Sequence, residues 1–528
     1  MKKLFKILNI LLISLILFLV GFLVGKKYDF AFDENDEIVG LQYSENEQKI
    51  RRLVALIDNQ YVNDVNSDSL VDEAINFMIG KLDPHSTYLD KAKIKKSNEE
   101  LSGEFSGVGL QFRVIEDTIV VSQMIKGTVN EDLLLFGDRI LAVNKENVTQ
   151  TEGLKQFNTL LKGKKNSNVS ISILRNNQPL ELTLKRTIVP VPTVTGKHML
   201  TNDIGYIKLI RFNEKSGEEM HQALNELIDK GMKTLVFDLR GNPGGLMRIA
   251  EQIADEFLTK DELIVYTQDK SKTKKYIYAT NYGSFEKGKV YVLIDENSAS
   301  SSEIVAGALQ DYGRGTIVGR RSFGKGLVQR EINLGDDTRV RLTVANYYTP
   351  SGRSIQRPYD KGNQAYSDEM YERLKNGELY NKDSIKVDEN LKYTAPSGKI
   401  VYGGGGIIPD EFVAFDVSSV SNWLIYNNDS KHYKEFLFKK ADKIHTSFFL
   451  QNENTYVKYF GAGIFRNDFL KMIGVPSDQF NENLGTTIDT YIKATLAEEL
   501  FGPRAYYEIW SKEDEMIKRI FELEKTKS

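Results

Sequence analysis

Leu4 to Val24 is an almost unbroken apolar run of 21 residues, interrupted only by Lys6, Asn9 and Ser14. As a helix it reaches roughly 32 Å, about the thickness of a bilayer's hydrocarbon core. Nothing polar recurs along it at a helical period, so a soluble amphipathic helix does not explain it. Lys2, Lys3 and Lys6 favour a cytoplasmic N-terminus, a bias softened by Lys26 and Lys27 on the far side. Val20-Gly21-Phe22-Leu23-Val24-Gly25 is a poor A-x-A cleavage site, and the chain has no cysteine for a lipoprotein anchor. The favoured reading, ahead of a cleaved signal peptide, is an uncleaved signal anchor over residues 1–27, a single transmembrane helix with the remaining chain outside the membrane.

Beyond that run the composition is that of a globular protein. Of 528 residues, 41% are hydrophobic and 27% charged, which excludes collagen-like, low-complexity and wholly disordered chains. At about 150 residues per domain, three or four domains are expected. Lys and Arg number 70 against 73 Asp and Glu, a net charge of -3, so no global positive field recruits nucleic acid. With no cysteine, disulfides, thiolate zinc sites, iron–sulfur clusters and a cysteine nucleophile are all excluded. The histidines, His85, His198, His221, His432 and His445, show no metal-ligand spacing. No metal and no organic cofactor is expected.

The texture changes along the chain. Residues 28–98 read as a helical segment, with Ile50, Leu53, Val54, Ile57 and Tyr61 at helical spacing and a turn at Leu82–Leu89. Residues 99–188 are β-rich, with strands at Ile119–Val121, Arg139–Val143 and Val169–Leu174. From 189 to 416 strands and helices alternate: Ile204–Ile210, Gly217–Lys230, Thr234–Leu239, Val290–Ile294, then a helix from Glu303. That alternation predicts a sheet covered by helices, and with its neighbours an α/β multidomain chain. Residues 363–395 are polar and read as an insertion. Residues 417–528 are expected to form a helical region ending in the amphipathic stretch Glu513–Lys525.

Four segments carry candidate chemistry. Asn297-Ser298-Ala299-Ser300-Ser301-Ser302-Glu303 sits at a strand-to-helix junction, where a side chain is exposed and helix N–H groups are unpaired. That suits a nucleophile and its oxyanion hole, although serines before a glutamate are also ordinary N-caps. Lys325 lies between Gly324 and Gly326, with Gln329 four positions on, a spacing that puts two side chains on one face. As a general base it needs its pKa lowered from about 10.4 towards about 7–8; a solvated lysine in a glycine turn is the bland alternative. Asp238-Leu239-Arg240-Gly241-Asn242-Pro243-Gly244-Gly245 follows a buried strand, and its glycines let amides converge on an anion, or make a plain tight turn. Gly107-Val108-Gly109-Leu110 opens the β-rich segment and could present successive N–H groups to a carboxylate.

Taken in this order, the four resemble the carboxyl-terminal processing (tail-specific) serine peptidases with a PDZ domain, over roughly residues 50 to 416. The most specific pieces are Leu82–Leu89, Gly107–Leu110, Gly137–Ile140, Asp238–Gly245, Asn297–Glu303, Phe323–Gln329 and Tyr348–Arg353. The resemblance implies that Ser300 is the nucleophile, Lys325 the general base and Gln329 the residue that orients it. It implies an oxyanion hole from the backbone of Ser301, where the family usually has Ala, and from Gly244 or Gly245. It further implies a PDZ loop, Gly107–Leu110, that holds the carboxylate of a substrate tail. Residues 127–137 depart from the usual PDZ spelling. The partners implied are protein substrates with apolar, unstructured C-termini, at the external (periplasmic) side of a bacterial cytoplasmic membrane, with a homo-oligomer or adaptor left open. Two competing readings stand beside it. S-x-x-K chemistry fits Ser271–Lys274, Ser284–Lys287 and Ser322–Lys325, none of which looks like a buried helix start. A membrane-anchored PDZ scaffold that binds tails without cutting them is the non-catalytic alternative.

Overall fold

A computed structural model describes residues 29–32, 38–41, 44–115, 117–149, 151–415, 430–444, 452–473 and 482–526. The expected spanning segment Leu4–Val24 lies outside them, and among the described residues no helix is long and apolar enough to cross a membrane. The chain divides into two compact units. One consists of Met1–Lys95, Gln329–Val344 and Lys361–Asn363; the other of Lys96–Val328, Ala345–Asp360 and Gln364–Ser528.

The first unit holds helices α1 (Glu45–Gln60) and α2 (Ser67–Ile79) and a short strand β1 (Thr87–Leu89). Ser44 and Glu47 close a capping box at the start of α1, satisfying two of its orphan N–H groups. Neither helix buries a residue, so the apolar stripe read from the sequence is present but uncovered. The turn at Leu82–Leu89 is built on Asp83. Its carboxylate accepts from the His85 and Ser86 amides, both at 2.8 Å, and from the Ser86 hydroxyl at 2.6 Å. Burial raises the Asp83 pKa, but these hydrogen bonds outweigh it and hold it below the usual carboxylate range.

The second unit begins with a β-rich domain: β2 (Leu110–Ile115), β3 (Thr118–Met124), β4 (Arg139–Val143), helix α3 (Thr151–Leu161), β5 (Asn168–Arg175) and β6 (Gln178–Lys185). The strands pair in the order β6-β5-β4-β3-β2, which leaves β2 at an edge. Phe112 of β2 meets Phe157 of α3 edge to face, 4.8 Å between centroids.

Next comes a mainly parallel sheet of β7 (Val194–Met199), β8 (Ile204–Leu209), β9 (Thr234–Asp238), β12 (Lys289–Ile294), β13 (Gly315–Gly319) and β14 (Glu411–Phe412), in that spatial order; only β7 runs antiparallel. Every residue of β8 and β9 is buried, so both faces must be covered, and period-two alternation shows by what. Leu235, Phe237, Val290 and Val292 face a core shared with α4 (Ser216–Asp229), α5 (Met247–Asp255) and α6 (Ser301–Asp311). Tyr206, Val236, Tyr291 and Leu293 face Met516, Ile517 and Ile520 of the last helix, α10 (Glu515–Lys525). A separate hairpin, β10 (Leu263–Asp269) with β11 (Lys274–Tyr278), pairs with Ala345–Tyr348.

The described residues of the C-terminal region from 430 onwards lie mostly in helices. Helices α7 (Lys431–Ile444), α8 (Glu482–Phe501) and α9 (Pro503–Trp510) share an aromatic core that includes Tyr433, Tyr456, Phe469 and Tyr491. It reaches the β-rich domain through a Phe136–Phe438 stack and an Arg113–Glu499 ion pair at 2.8 Å. The polar stretch expected as an insertion carries a helix, Asn363–Lys375, whose buried Arg373 donates to the carbonyl of Ser322 at 2.7 Å.

Candidate active site

Adjacent parallel strands β8, β9, β12 and β13 all end at one edge of the sheet, the edge where open α/β sheets place their sites. The candidate loops leave from there. After Ile294 the chain runs through Asp295–Ala299 to Ser300, which has φ 56° and ψ −114°. A non-glycine residue with positive φ is strained, and such strain persists only where its surroundings over-determine it. Helix α6 follows at once, and all 11 of its residues are buried.

Glu303, in the first turn of α6, explains how the strained elbow is held. Its fully buried carboxylate accepts from the Ser300 N–H at 2.8 Å and the Lys325 N–H at 2.9 Å, both on Oε2. Oε1 accepts from the Gly324 N–H at 2.7 Å and the Ser322 hydroxyl at 2.5 Å. The nucleophile candidate and the base candidate are thereby brought side by side, though 25 residues separate them in the chain. Burial pushes the Glu303 pKa up, and the four hydrogen bonds offset only part of that. The side chains of Ser300 and Lys325 are both half-buried.

The glycine loop after β9 is stitched to the same elbow. Gly241 donates to Asp295 Oδ1 at 2.9 Å, Ala299 to the Asn242 carbonyl at 3.0 Å, and Ser302 Oγ to that carbonyl at 3.0 Å. Gly244 lies so close that a Cβ there would sit 2.8 Å from the Ser300 Cβ, which accounts for a glycine at φ 96°. Its N–H is engaged by Asn242 Oδ1 at 2.8 Å. Ser301, expected to matter only through its backbone, also donates its hydroxyl to the Gly245 carbonyl at 3.1 Å.

Lys325 is in a loop and Gln329 in the strand Leu327–Asn333. Gln329 belongs to the first unit, where its amide donates to the His85 carbonyl at 2.5 Å. The S-x-x-K alternative at Ser322 has no free nucleophile: that hydroxyl is buried between Glu303 and the Ile407 N–H. His198 hydrogen-bonds Ser511, its pKa pushed down to about 4 by burial and by Arg504 and Lys512, while His221 pairs with Glu256. Among the described residues no cluster of three or more His, Asp or Glu is arranged to hold a metal ion.

Beneath the glycine loop lies a charged network that sequence reading missed. Asp238, fully buried at the end of β9, receives Lys208 at 3.0 Å, the Tyr206 hydroxyl at 2.7 Å and Arg240 at 2.6 Å. Burial would raise its pKa, but Arg240 and Lys208 hold it far below the carboxylate range.

The peptidase family S41 profile matches residues 203–361, which contain all of these loops. A PDZ profile matches residues 106–185, and that of the activating protease CtpB N-terminal domain matches 27–93. The chain is 34% identical to carboxy-terminal processing protease CtpB of Bacillus subtilis over 351 residues, 65% of this chain and 72% of that one. It is 38% identical to the carboxy-terminal-processing protease of Bartonella bacilliformis over 308 residues, 57% of this chain and 70% of that one. The chain belongs to the S41 carboxy-terminal processing proteases. The likeness to the solved photosystem II D1 C-terminal processing protease is looser, with 26% identity and a TM-score of 0.35 over 60% of this chain and 91% of that one. Membership of that family and the PDZ match make the chain a serine peptidase with a PDZ domain.

In the protease's PDZ domain, Gly107–Leu110 leads directly into edge strand β2. Gly109 adopts φ 77°, and Val108 is buried, its carbonyl held by Asn130 at 3.0 Å.

Proposed function

We propose that this protease is a Ser–Lys endopeptidase that cleaves proteins selected by their C-terminal tails, outside the cytoplasmic membrane. The observation that carries it is the shared Glu303 carboxylate, which fixes the main chains of Ser300 and Lys325 at a strained, half-buried elbow. Neutral Lys325 Nζ takes the Ser300 hydroxyl proton as Oγ attacks the scissile carbonyl. The resulting oxyanion is met by two amides. One is Ser301 N–H at the first position of α6, where no intrahelical acceptor exists. The other is Gly245 N–H, because Gly244 N–H already serves Asn242. The lysine ammonium then protonates the leaving amine, the acyl-enzyme forms, and water resolves it by the same route in reverse.

Substrate choice follows from the PDZ domain. The amides of Gly107, Val108, Gly109 and Leu110 hold the tail carboxylate, and the tail adds a strand to β2. Its last apolar side chain enters near Leu110, Phe112 and Phe157. Residues 1–27 anchor the protein in the membrane, on the strength of the apolar run alone. The decisive experiment incubates the detergent-solubilised chain and its Ser300→Ala variant with an unstructured protein: wild type cleaves it and the variant does not. Undiminished cleavage by Ser300→Ala, with contaminating protease excluded, refutes the reading.

A further inference from the structure

Helix α10 lies outside every family region matched, yet it starts against the active-site loops. Its first turn is capped by Asp514, and the two carboxylate oxygens of that residue have separate tasks. Oδ1 accepts from the Met516 and Ile517 amides at 3.0 and 3.2 Å, an ordinary N-cap. Oδ2 pairs with Arg240 Nη1 at 2.7 Å. The other edge of the same guanidinium grips Asp238 through Nη2 at 2.6 Å and Nε at 3.0 Å.

We infer that Asp514 is a positioning residue for catalysis: it locks Arg240, and with it the glycine loop that faces Ser300. This rests on the Ser300–Lys325 reading above. The path is contiguous. Arg240 N–H donates to Asp238 Oδ1 at 2.9 Å and its carbonyl accepts from Lys208. Gly241 is tied to Asp295, Asn242 to Ala299 and Ser302, and Gly244 touches Ser300. Side chains in this network are mostly shielded, with exposures of 1% for Asp238, 8% for Lys208, 20% for Arg240 and 10% for Asp514. Two carboxylates balance two cations. Without Asp514 the guanidinium keeps only Asp238, which Lys208 and Tyr206 already share, and one edge of the fork is released. Displacement of a catalytic loop by about 1 Å is enough to cost on the order of a hundredfold in rate.

The test uses the full chain in detergent and one unstructured substrate. Asp514→Ser keeps a hydroxyl to cap α10 but cannot reach Arg240 as a charged partner; Asp514→Glu keeps the charge. Asp514→Ser is expected to lower kcat about tenfold or more, with KM within about twofold, at a temperature where its melting curve shows the protein still fully folded, and Asp514→Glu to recover most of the loss. Wild-type kcat in Asp514→Ser overturns the inference, and so does a loss of kcat that merely tracks unfolding in the melt. Ser300→Ala is run alongside. Activity there sinks the dyad reading itself, an outcome distinguishable because it does not depend on Asp514.

Discussion

Ser300 and Lys325 donate their backbone N–H groups to one oxygen atom, Oε2 of Glu303, at 2.8 and 2.9 Å. A carboxylate with four donors around it and no water access is costly to remove, because each orphaned buried donor costs about 1–3 kcal/mol. Glu303→Ala should therefore destabilise the protein by about 3 kcal/mol or more. Glu303→Gln, which turns an amide NH2 towards N–H groups, should fold but lose about tenfold or more in kcat. Thermal melts and initial rates measure both.

The same residue gives stability a pH dependence of defined sign. Burial raises the Glu303 pKa above its ordinary value. The folded state thus takes up the proton at higher pH than the unfolded state, and stability falls as pH rises between the two values. Glu303→Gln has no such term. Relative to that variant, wild type should melt at higher temperature at low pH and lose the advantage as pH passes through the raised folded value. Parallel melting curves for the two proteins across that window would contradict the assignment.

Lys325→Ala should lower turnover by about the 10²–10⁴-fold that a positioned general base contributes. Lys325→Arg should be as impaired, since a guanidinium keeps its proton near neutral pH. Both variants should melt like wild type, because the Glu303 contact is made by the Lys325 backbone and survives either substitution.

A peptide with a free C-terminus should be cleaved at lower KM than its amidated twin, by about tenfold, since amidation removes the charge that the Gly107–Leu110 amides receive. Gly109→Glu should erase the difference: a Cβ there meets Thr128 Cγ2 at 2.8 Å, at a φ of 77°. Equal KM values for both peptides with the wild-type protease would remove the support for tail selection.

Much of the fold was legible because buried parallel strands read as continuous apolar runs, and Thr234–Asp238 and Lys289–Ile294 lie where those runs do. Local spelling marked the serine cluster, the glycine-flanked Lys325 and the glycine loop, and the family resemblance picked out Ser300 and Lys325 among them. Glu303 was visible as a letter, but its role depends on donors at Ser322, Gly324 and Lys325 that only the fold delivers. Spacing alone could not say that Lys325 lies in a loop and Gln329 in a strand, because a four-residue interval has a fixed meaning only inside one regular element. Asp514 carried no signal at all. An N-cap aspartate is ordinary, and its meeting with Arg240 is set by how the last helix docks.

The outer face of the sheet is closed by side chains from α10, which is made after every strand of that sheet. Strand β14 ends at Phe412, and Ile520 follows it by roughly 5–20 s at translation rates of about 5–20 residues per second. Until then Tyr206, Val236, Tyr291 and Leu293 lack the cover of Met516, Ile517 and Ile520, and the nascent sheet exposes more apolar surface. A ribosome that stalls before codon 514 releases a chain with every residue of the dyad but no lid on that surface.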